Sequence, residues 1–124
     1  MPEDSAGFHE PLEQLSLKAR DVHRAVVSVV EELQAIDWYA QRVEASSDPE
    51  LRAILQHNAD EEKEHAAMLL EWIRRQDPTF EQALRTYLFK SGSIVGREEG
   101  VEGRGNGSTP PAPSTIGSLK GGPR

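Results

Sequence analysis

The sequence predicts an all-α fold: two long helices in an antiparallel hairpin, a short C-terminal helix after them, and a disordered C-terminal tail. Three observations support this prediction. Apolar residues recur at alternating three- and four-residue spacings, two Asp-Pro pairs mark places where one helix ends and the next begins, and from Ser91 onward Gly, Pro and Ser dominate the composition. No stretch shows the period-two alternation that is typical of a strand.

The first helix is predicted from about Pro11 to about Ala45. Its apolar stripe comprises Leu12, Leu15, Ala19, Val22, Val26, Val29, Leu33, Ile36, Ala40 and Val43. At a rise of 1.5 Å per residue, such a helix is roughly 50 Å long. A two-helix hairpin cannot cover a stripe of this length by itself, so the pattern favours association with a second chain.

Residues 46–50, Ser-Ser-Asp-Pro-Glu, separate the first helix from the second. Either Asp48 caps the second helix with Pro49 at its first position, or Ser47 and Glu50 form a capping box. We expect the second helix to end near Gln76.

The second Asp-Pro pair, Asp77-Pro78, starts a short third helix. Its apolar side comprises Phe80, Leu84, Tyr87 and Leu88. The chain is thereby divided into a flexible N-terminus over residues 1–10, a helical hairpin domain over 11–90, a disordered Gly/Pro/Ser-rich linker over 91–113 and a terminal segment over 114–124.

The composition excludes several classes of function. The 124 residues contain no cysteine, which excludes disulfides, thiol catalysis and thiolate zinc sites. Residues 1–90 carry 18 acidic and 10 basic side chains, and so acidic a surface repels nucleic acid. No apolar run approaches the roughly 20 residues that span a bilayer, and the N-terminus lacks the pattern of a secretory signal. We therefore expect a cytoplasmic protein that binds neither nucleic acid nor membrane and collects cations.

Polar residues interrupt the apolar stripe of the second helix at its middle. The positions of this stripe are Leu51, Leu55, Asn58, Glu62, His65, Leu69 and Trp72. Glu62 and His65 are three residues apart and therefore lie on one face, one turn from each other. Burying a carboxylate is costly unless it is neutralised, paired or bound to a cation. These two residues either pair with each other at a hydrated edge of the stripe or bind a metal ion.

Glu32 on the first helix favours the metal interpretation. In a hairpin that turns near Ser47, Glu32 and Glu62 lie about 15 residues on either side of the bend and hence at the same height. One Glu together with a Glu-x-x-His pair is half of a di-iron carboxylate site. A twofold dimer would supply the other half and would close two hairpins into a four-helix bundle.

Residues 30–75 resemble the encapsulated ferritins, the ferritin-like cargo of encapsulin nanocompartments. The resemblance is carried by EELQAIDWYAQR and HNADEEKEHAAMLLEW and extends over roughly residues 8–90. It implies a hairpin protomer that dimerises into a ferritin-like four-helix bundle, with five such dimers in a ring-like decamer. It also implies that Glu32, Glu62 and His65 of two chains form a ferroxidase centre, with Tyr39 close by.

The chemistry that the resemblance implies is the oxidation of Fe(II) to Fe(III) by dioxygen, with two irons per dimer. Glu32 and Glu62 would supply anionic oxygens and neutral His65 a nitrogen. Because such ligands also suit Mn(II), Zn(II) or Ca(II), the assignment of iron depends on the resemblance. The alternative is a non-catalytic helical adaptor or metal buffer whose acidic residues bind divalent ions without turnover.

The same resemblance implies two further metal sites. Glu31 and Trp38, seven residues apart, correspond to a metal-uptake site in which Gln34 replaces a usual Glu, so binding there is weaker or differently selective. The alternative is a solvated Glu31 and a packed Trp38. A peripheral site for Ca(II) or another divalent ion corresponds to His57, Glu61 and Glu64. A solvated charged face explains that second group equally well.

The sequence STIGSLK near the C-terminus resembles the loading peptide that docks cargo inside encapsulin shells. Ile116 and Leu119 are its two apolar anchors, and Gly117 and Ser118 between them are small enough for the backbone to lie close to a partner. Many tails on one ring would bind a many-sited shell with avidity. We therefore expect the shell protein as partner and the shell interior as location, with an inert flexible tail as the alternative.

Overall fold

The computed structural model describes residues 7–103, and its regular structure is entirely helical, which confirms the predicted all-α fold. A short 3-10 helix, Leu12–Gln14, precedes four α-helices: α1 (Leu17–Ala45), α2 (Pro49–Gln76), α3 (Pro78–Tyr87) and α4 (Ile94–Gly103). The chain divides into two compact units, which meet in the sequence at Gln76 and Asp77. None of these helices is long and apolar enough to cross a membrane.

The helix α1 begins later than its apolar pattern predicts, at Leu17 rather than near Pro11. The Ser16 hydroxyl accepts a hydrogen bond from the Ala19 N–H at 3.0 Å and caps the helix. Before this cap the chain forms only the short 3-10 turn, whose Leu12 carbonyl accepts a bond from Arg20 Nη2 at 2.6 Å. The apolar spacing continues across the cap, and spacing alone therefore did not reveal the break.

The turn between α1 and α2 confirms one of the two predicted caps. Asp48 Oδ2 accepts a hydrogen bond from the Leu51 N–H at 2.8 Å, and Pro49 is the first residue of α2. Because so few residues separate Ala45 from Pro49, the two helices return alongside each other as an antiparallel hairpin. The observed end of α2 at Gln76 is also the predicted one.

Small side chains form the contact between α1 and α2. Within residues 7–98 the buried apolar residues are Ala25, Ala59, Ala66 and Ile73. The three on α2 are spaced by seven and form one line along the helix, where alanine permits a close approach of the two backbones. At the open end of the hairpin, Lys18 Nζ donates to the Gln76 carbonyl at 3.5 Å.

Large apolar side chains stay exposed on both long helices of the hairpin. They include Val26, Val30 and Leu33 on α1, with Leu51, Ile54, Met68 and Trp72 on α2. Their spacing follows the helical repeat, so they form stripes rather than scattered positions, whereas Leu17 and Trp38 of α1 are exposed outside this spacing. Exposed stripes of this kind are typical of surfaces that associate with another protein.

The second unit begins with the predicted third helix. The Asp77 carboxylate accepts hydrogen bonds from the N–H groups of Thr79 and Phe80 at 3.0 and 3.1 Å, and Pro78 is the first helical residue. An aspartate directly before a proline therefore caps both α2 and α3.

The helix α4 lies where the sequence predicts a disordered linker over residues 91–113. The Ser93 hydroxyl accepts a hydrogen bond from the Gly96 N–H at 2.9 Å, and Gly92 precedes it with a φ of 91°. Glycine disfavours a helix by about 1 kcal/mol relative to alanine, and the glycine content therefore masked this serine cap. The rest of the predicted linker and the segment 114–124 lie outside the described residues.

Candidate metal centre

The helices α1 and α2 bring three of the predicted ligands together. Glu32, Glu62 and His65 offer ligand atoms that lie within 4.8 Å of one another, and residues 7–103 contain no other group of three such side chains. Nδ1 of His65 is 3.3 Å from Oε1 of Glu62 and 3.6 Å from Oε1 of Glu32. A single chain thus assembles a compact set of two carboxyl groups and one imidazole.

The cluster is accessible from solvent. The side chains of Glu32 and Glu62 are 23% and 24% exposed, and that of His65 is 46% exposed. The carboxyl groups are partly desolvated by the surrounding hairpin, which favours a bound counter-charge, while the exposed imidazole leaves a route for an ion. The polar interruption in the stripe of α2 therefore corresponds to an accessible polar site.

The carboxyl groups of Glu32 and Glu62 interact across the hairpin and shift each other's pKa in opposite directions. The hydrogen bond between the two carboxyl groups raises the pKa of Glu32, and burial and the negative charge of Glu62 act in the same direction. The same bond lowers the pKa of Glu62, which accepts it. Two neighbouring carboxylates cannot both ionise without strong repulsion. A divalent cation bound between the two groups would remove this repulsion.

The imidazole of His65 responds to the same negative charge. Its hydrogen bond with Glu62 raises the pKa of His65, and the charges of both carboxylates add to this effect. The pairing of Glu62 with His65, which the sequence offered as the simpler interpretation, is therefore present. The same imidazole also lies 3.6 Å from Oε1 of Glu32, so the three side chains form one interacting group rather than an isolated pair.

The donor set fits a divalent transition metal. Carboxylate oxygens together with one imidazole nitrogen suit Fe(II), Mn(II) or Zn(II). The three residues nevertheless represent one Glu and one Glu-x-x-His pair, which is half of what a di-metal site in a helical bundle requires. A second copy of the same three residues would complete such a site.

Tyr39 lies outside this three-residue group. It is partly buried on α1, and the guanidinium carbon of Arg42 lies 5.3 Å from the centre of its ring, a cation–π contact. The sequence reasoning did not single out Arg42. The i, i+3 spacing of the two residues on one helix was the signal that could have indicated this contact.

The other predicted metal ligands are exposed. Glu31 and Trp38 are both exposed on α1. On α2, Nε2 of His57 lies 3.1 Å from Oε2 of Glu61, and Glu64 is exposed. Within the described chain His57, Glu61 and Glu64 do not form a group as compact as the Glu32 cluster. The uptake site and the peripheral site therefore stay predictions.

A separate charged cluster lies near the end of α2. Glu71 accepts two hydrogen bonds from Arg74, at 2.8 and 2.6 Å, and one from Arg75 at 2.7 Å. These bonds lower the pKa of Glu71 to about 2. Because all three residues belong to the last turns of one helix, the cluster stabilises the C-terminal end of α2.

The predicted docking residues of the tail, Ile116, Gly117, Ser118 and Leu119, all lie outside the described residues. Their docking role stays a prediction.

The all-helical hairpin with its carboxylate and histidine cluster is of the ferritin-like kind. The chain matches the EncFtn-like family over residues 7–91 and belongs to that family. The resemblance found in the sequence is thereby confirmed.

Relatives of known name cover most of the chain. It is 53% identical to an encapsulated ferritin-like protein of Rhodospirillum rubrum, over 98% of this chain and 93% of that protein. It is 52% identical to a ferritin-like protein of Thermotoga maritima, over 77% of this chain and 84% of that protein. A crystal structure of a Nitrosomonas europaea protein matches with a TM-score of 0.70 at 60% identity, over 72% of this chain and 98% of that one.

One further relative is named for its location. An encapsulin nanocompartment cargo protein of Myxococcus xanthus is 36% identical, over 76% of this chain and 80% of that protein.

Proposed function

We propose that this protein is a ferroxidase that oxidises Fe(II) to Fe(III) with dioxygen and acts as cargo of an encapsulin nanocompartment. The observation that carries the proposal is the cluster of Glu32, Glu62 and His65, assembled from two helices at a partly exposed position. Membership of the EncFtn-like family supports the choice of iron among the metals that this donor set suits.

The active unit in this proposal is a dimer. One chain supplies three ligand residues, whereas a di-metal bundle site takes two Glu and two Glu-x-x-His contributions. The hairpin also lacks a core of its own, because its buried apolar residues are three alanines and one isoleucine. A twofold arrangement of two hairpins supplies both the missing ligands and the missing apolar contacts. A ring of five such dimers is the arrangement that the family resemblance implies.

The three side chains have distinct roles in the proposed reaction. Glu32 and Glu62 would supply anionic oxygens to Fe(II), which relieves the repulsion between them, and would bind Fe(III) more strongly because its charge is higher. His65 would supply a neutral imidazole nitrogen, since a nitrogen ligand binds a metal in its deprotonated form. Each Fe(II) gives one electron to dioxygen, and two irons held by one dimer can reduce the same molecule.

The cargo role is supported by the names of the relatives and by the tail. Proteins of Rhodospirillum rubrum and Myxococcus xanthus that cover most of this chain are named as encapsulated or as encapsulin cargo. The segment STIGSLK carries two apolar anchors in a polar tail, which suits docking on shallow pockets of a shell. In this proposal the shell stores and thereby detoxifies the ferric product.

The decisive experiment compares iron oxidation by two isosteric variants. Fe(II) is bound without oxygen to wild type, Glu62→Gln and Glu44→Gln, air is admitted, and ferric absorbance is followed. Glu44 is exposed near the end of α1 and belongs to none of the predicted metal sites, so it serves as the matched control. We expect fast oxidation by wild type and Glu44→Gln, and the rate of buffer alone for Glu62→Gln.

Equal rates in all three proteins would reject the centre. Stoichiometric binding of Fe(II) by wild type, with oxidation at the rate of buffer alone, would instead establish the non-catalytic metal buffer.

A further inference from the structure

We propose that Met68 is a sacrificial oxidation site, whose thioether is converted to the sulfoxide by peroxide formed at the Glu32, Glu62 and His65 cluster. This inference rests on the proposed ferroxidase function. It concerns the fate of the reduced oxygen, which the ligand cluster alone does not determine.

The first observation is the position of the sulfur. Met68 follows His65 by three residues on α2, a spacing that places the two side chains next to each other, with about 5–6 Å between their Cβ atoms. The chain contains no cysteine and two methionines, so Met68 is the one sulfur beyond Met1. This sulfur therefore lies one helical turn from a ligand of the cluster.

The second observation is that the hairpin itself does not cover the thioether. Met68 is 62% exposed in the single hairpin and belongs to the exposed apolar stripe of α2. It shares an open groove on α2 with Trp72, whose indole is a second oxidisable group. Peroxide readily oxidises a thioether to the sulfoxide, and dedicated reductases convert the sulfoxide back to the thioether. A thioether between the cluster and Trp72 would therefore react before the less repairable ring.

The proposed step balances in atoms and electrons. Two Fe(II) ions give one electron each to dioxygen, which takes up two protons and becomes hydrogen peroxide. The Met68 sulfur then loses two electrons to the peroxide O–O bond and gains one oxygen atom. The other oxygen atom leaves as water. No oxidant beyond dioxygen is needed.

The test uses a second methionine as an internal standard. Leu17 is 76% exposed at the start of α1, so the Leu17→Met variant carries a thioether of comparable exposure. Position 17 lies 15 residues before Glu32, which is roughly 22 Å along the helix. Peptide mass spectrometry then gives the ratio of sulfoxide at Met68 to sulfoxide at position 17 within the same molecules.

Two ways of supplying peroxide distinguish the effect of Met68 lying near the cluster from the effect of its exposure to solvent. In the first, Fe(II) and air are given to Leu17→Met protein in the presence of catalase, which removes peroxide from bulk solvent. In the second, dilute hydrogen peroxide is added without iron or catalase. We expect the ratio of sulfoxide at Met68 to sulfoxide at position 17 to be severalfold higher in the first experiment than in the second. In the double variant Leu17→Met, Glu62→Gln this excess should disappear.

Equal ratios in both experiments, with normal formation of ferric iron, would overturn the Met68 proposal and leave the ferroxidase proposal intact. Absence of iron oxidation above the rate of buffer would reject the ferroxidase proposal, and the Met68 proposal with it.

A second variant tests the protective role. We expect Met68→Leu to oxidise the first portion of iron at the wild-type rate, and then to lose activity severalfold sooner over repeated additions, with oxidation appearing on His65 or Trp72. If Met68→Leu and wild type lost activity at the same rate over repeated additions of iron, Met68 would have no protective role.

Discussion

Nδ1 of His65 on α2 lies 3.6 Å from Oε1 of Glu32 on α1, so the imidazole faces a carboxyl group of the other helix as well as Glu62 of its own. This relationship links metal binding to the register of the hairpin. A slip of α1 along α2 by one turn, about 5.4 Å, would separate the two groups. The Lys18 to Gln76 hydrogen bond at the open end and the Asp48 cap at the turn both hold that register.

Loss of any one ligand should weaken metal binding. We expect His65→Ala and Glu32→Gln each to lower the anaerobic affinity for Fe(II) by at least about tenfold, the smallest loss common for residues that support a metal site. Because both residues act on the same ion, their effects should not add in the double variant. Titration calorimetry measures this, with His9→Ala as the control, because His9 is exposed and belongs to none of the predicted metal sites. Additive losses would argue against one shared ion.

Association should depend on the exposed apolar stripe of α2. Ile54 is exposed in the hairpin, and we expect Ile54→Glu to shift the protein to monomers in analytical ultracentrifugation and to abolish iron oxidation, because the dimer would have to bury the new charge. Leu17→Glu, at the more exposed start of α1, should keep both properties. A monomeric Ile54→Glu protein with full activity would show that one chain is sufficient.

The cap of α2 should contribute measurably to stability. Asp48→Ala removes the acceptor of the Leu51 N–H, and we expect it to lower the free energy of unfolding by about 1 kcal/mol. Asp48→Asn keeps an acceptor and should recover most of this loss. Ser47→Ala distinguishes this cap from the capping box, since it should have little effect. Urea unfolding at one fixed protein concentration provides the comparison.

The Glu71 cluster should make stability depend on pH in a defined range. Arg74 and Arg75 lower the pKa of Glu71 from 4.5 to about 2. A carboxyl group whose pKa is lowered by folding stabilises the protein above its unfolded pKa, and this stabilisation fades as the pH falls toward the folded value. We therefore expect the Tm deficit of Glu71→Gln to be constant from pH 7 to about pH 5 and to shrink below about pH 4.5.

The control for Glu71 is a variant without its partners. In an Arg74→Gln, Arg75→Gln background, the Glu71→Gln substitution should have a much smaller effect at pH 7. An equal deficit in that background would mean that the carboxyl group stabilises α2 without these arginines.

Loading into the shell should depend on residues 114–124 and iron oxidation should not. We expect deletion of this segment to abolish co-purification with the encapsulin shell protein when both are expressed together. The double variant Ile116→Ala, Leu119→Ala should have the same effect, whereas Thr115→Ala should load normally, because the apolar anchors carry the binding. Normal loading of the deletion variant would reject the docking role.

Local sequence signals predicted most of the fold. The Asp-Pro pairs placed the starts of α2 and α3 correctly, because an aspartate cap followed by proline acts within a few residues. The late start of α1 and the presence of α4 were missed because each depends on a serine cap that a broader sequence pattern hid. The Ser16 cap lies within an uninterrupted apolar spacing, and the Ser93 cap lies within a glycine-rich segment.

The candidate site was predictable only in part. Glu62 and His65 were found because they interrupt the apolar stripe of the second helix, and Glu32 was found because it lies at the same distance from the bend on the first helix. The opposite pKa shifts of Glu32 and Glu62 were not foreseen, since they depend on how closely the two helices approach. The Arg42 contact with Tyr39 and the exposure of Met68 depend in the same way on side-chain conformations.

The alanines at the hairpin contact have a chemical consequence of their own. Ala59 and Ala66 lie one turn before and one turn after Glu62, both buried against α1. Their small side chains let α1 and α2 approach closely, and this approach sets the width of the gap between the two carboxyl groups. A larger side chain at either position would widen that gap and change the ionic radius that it suits. In the proposed centre, residues without any ligand atom would thus influence the choice of metal.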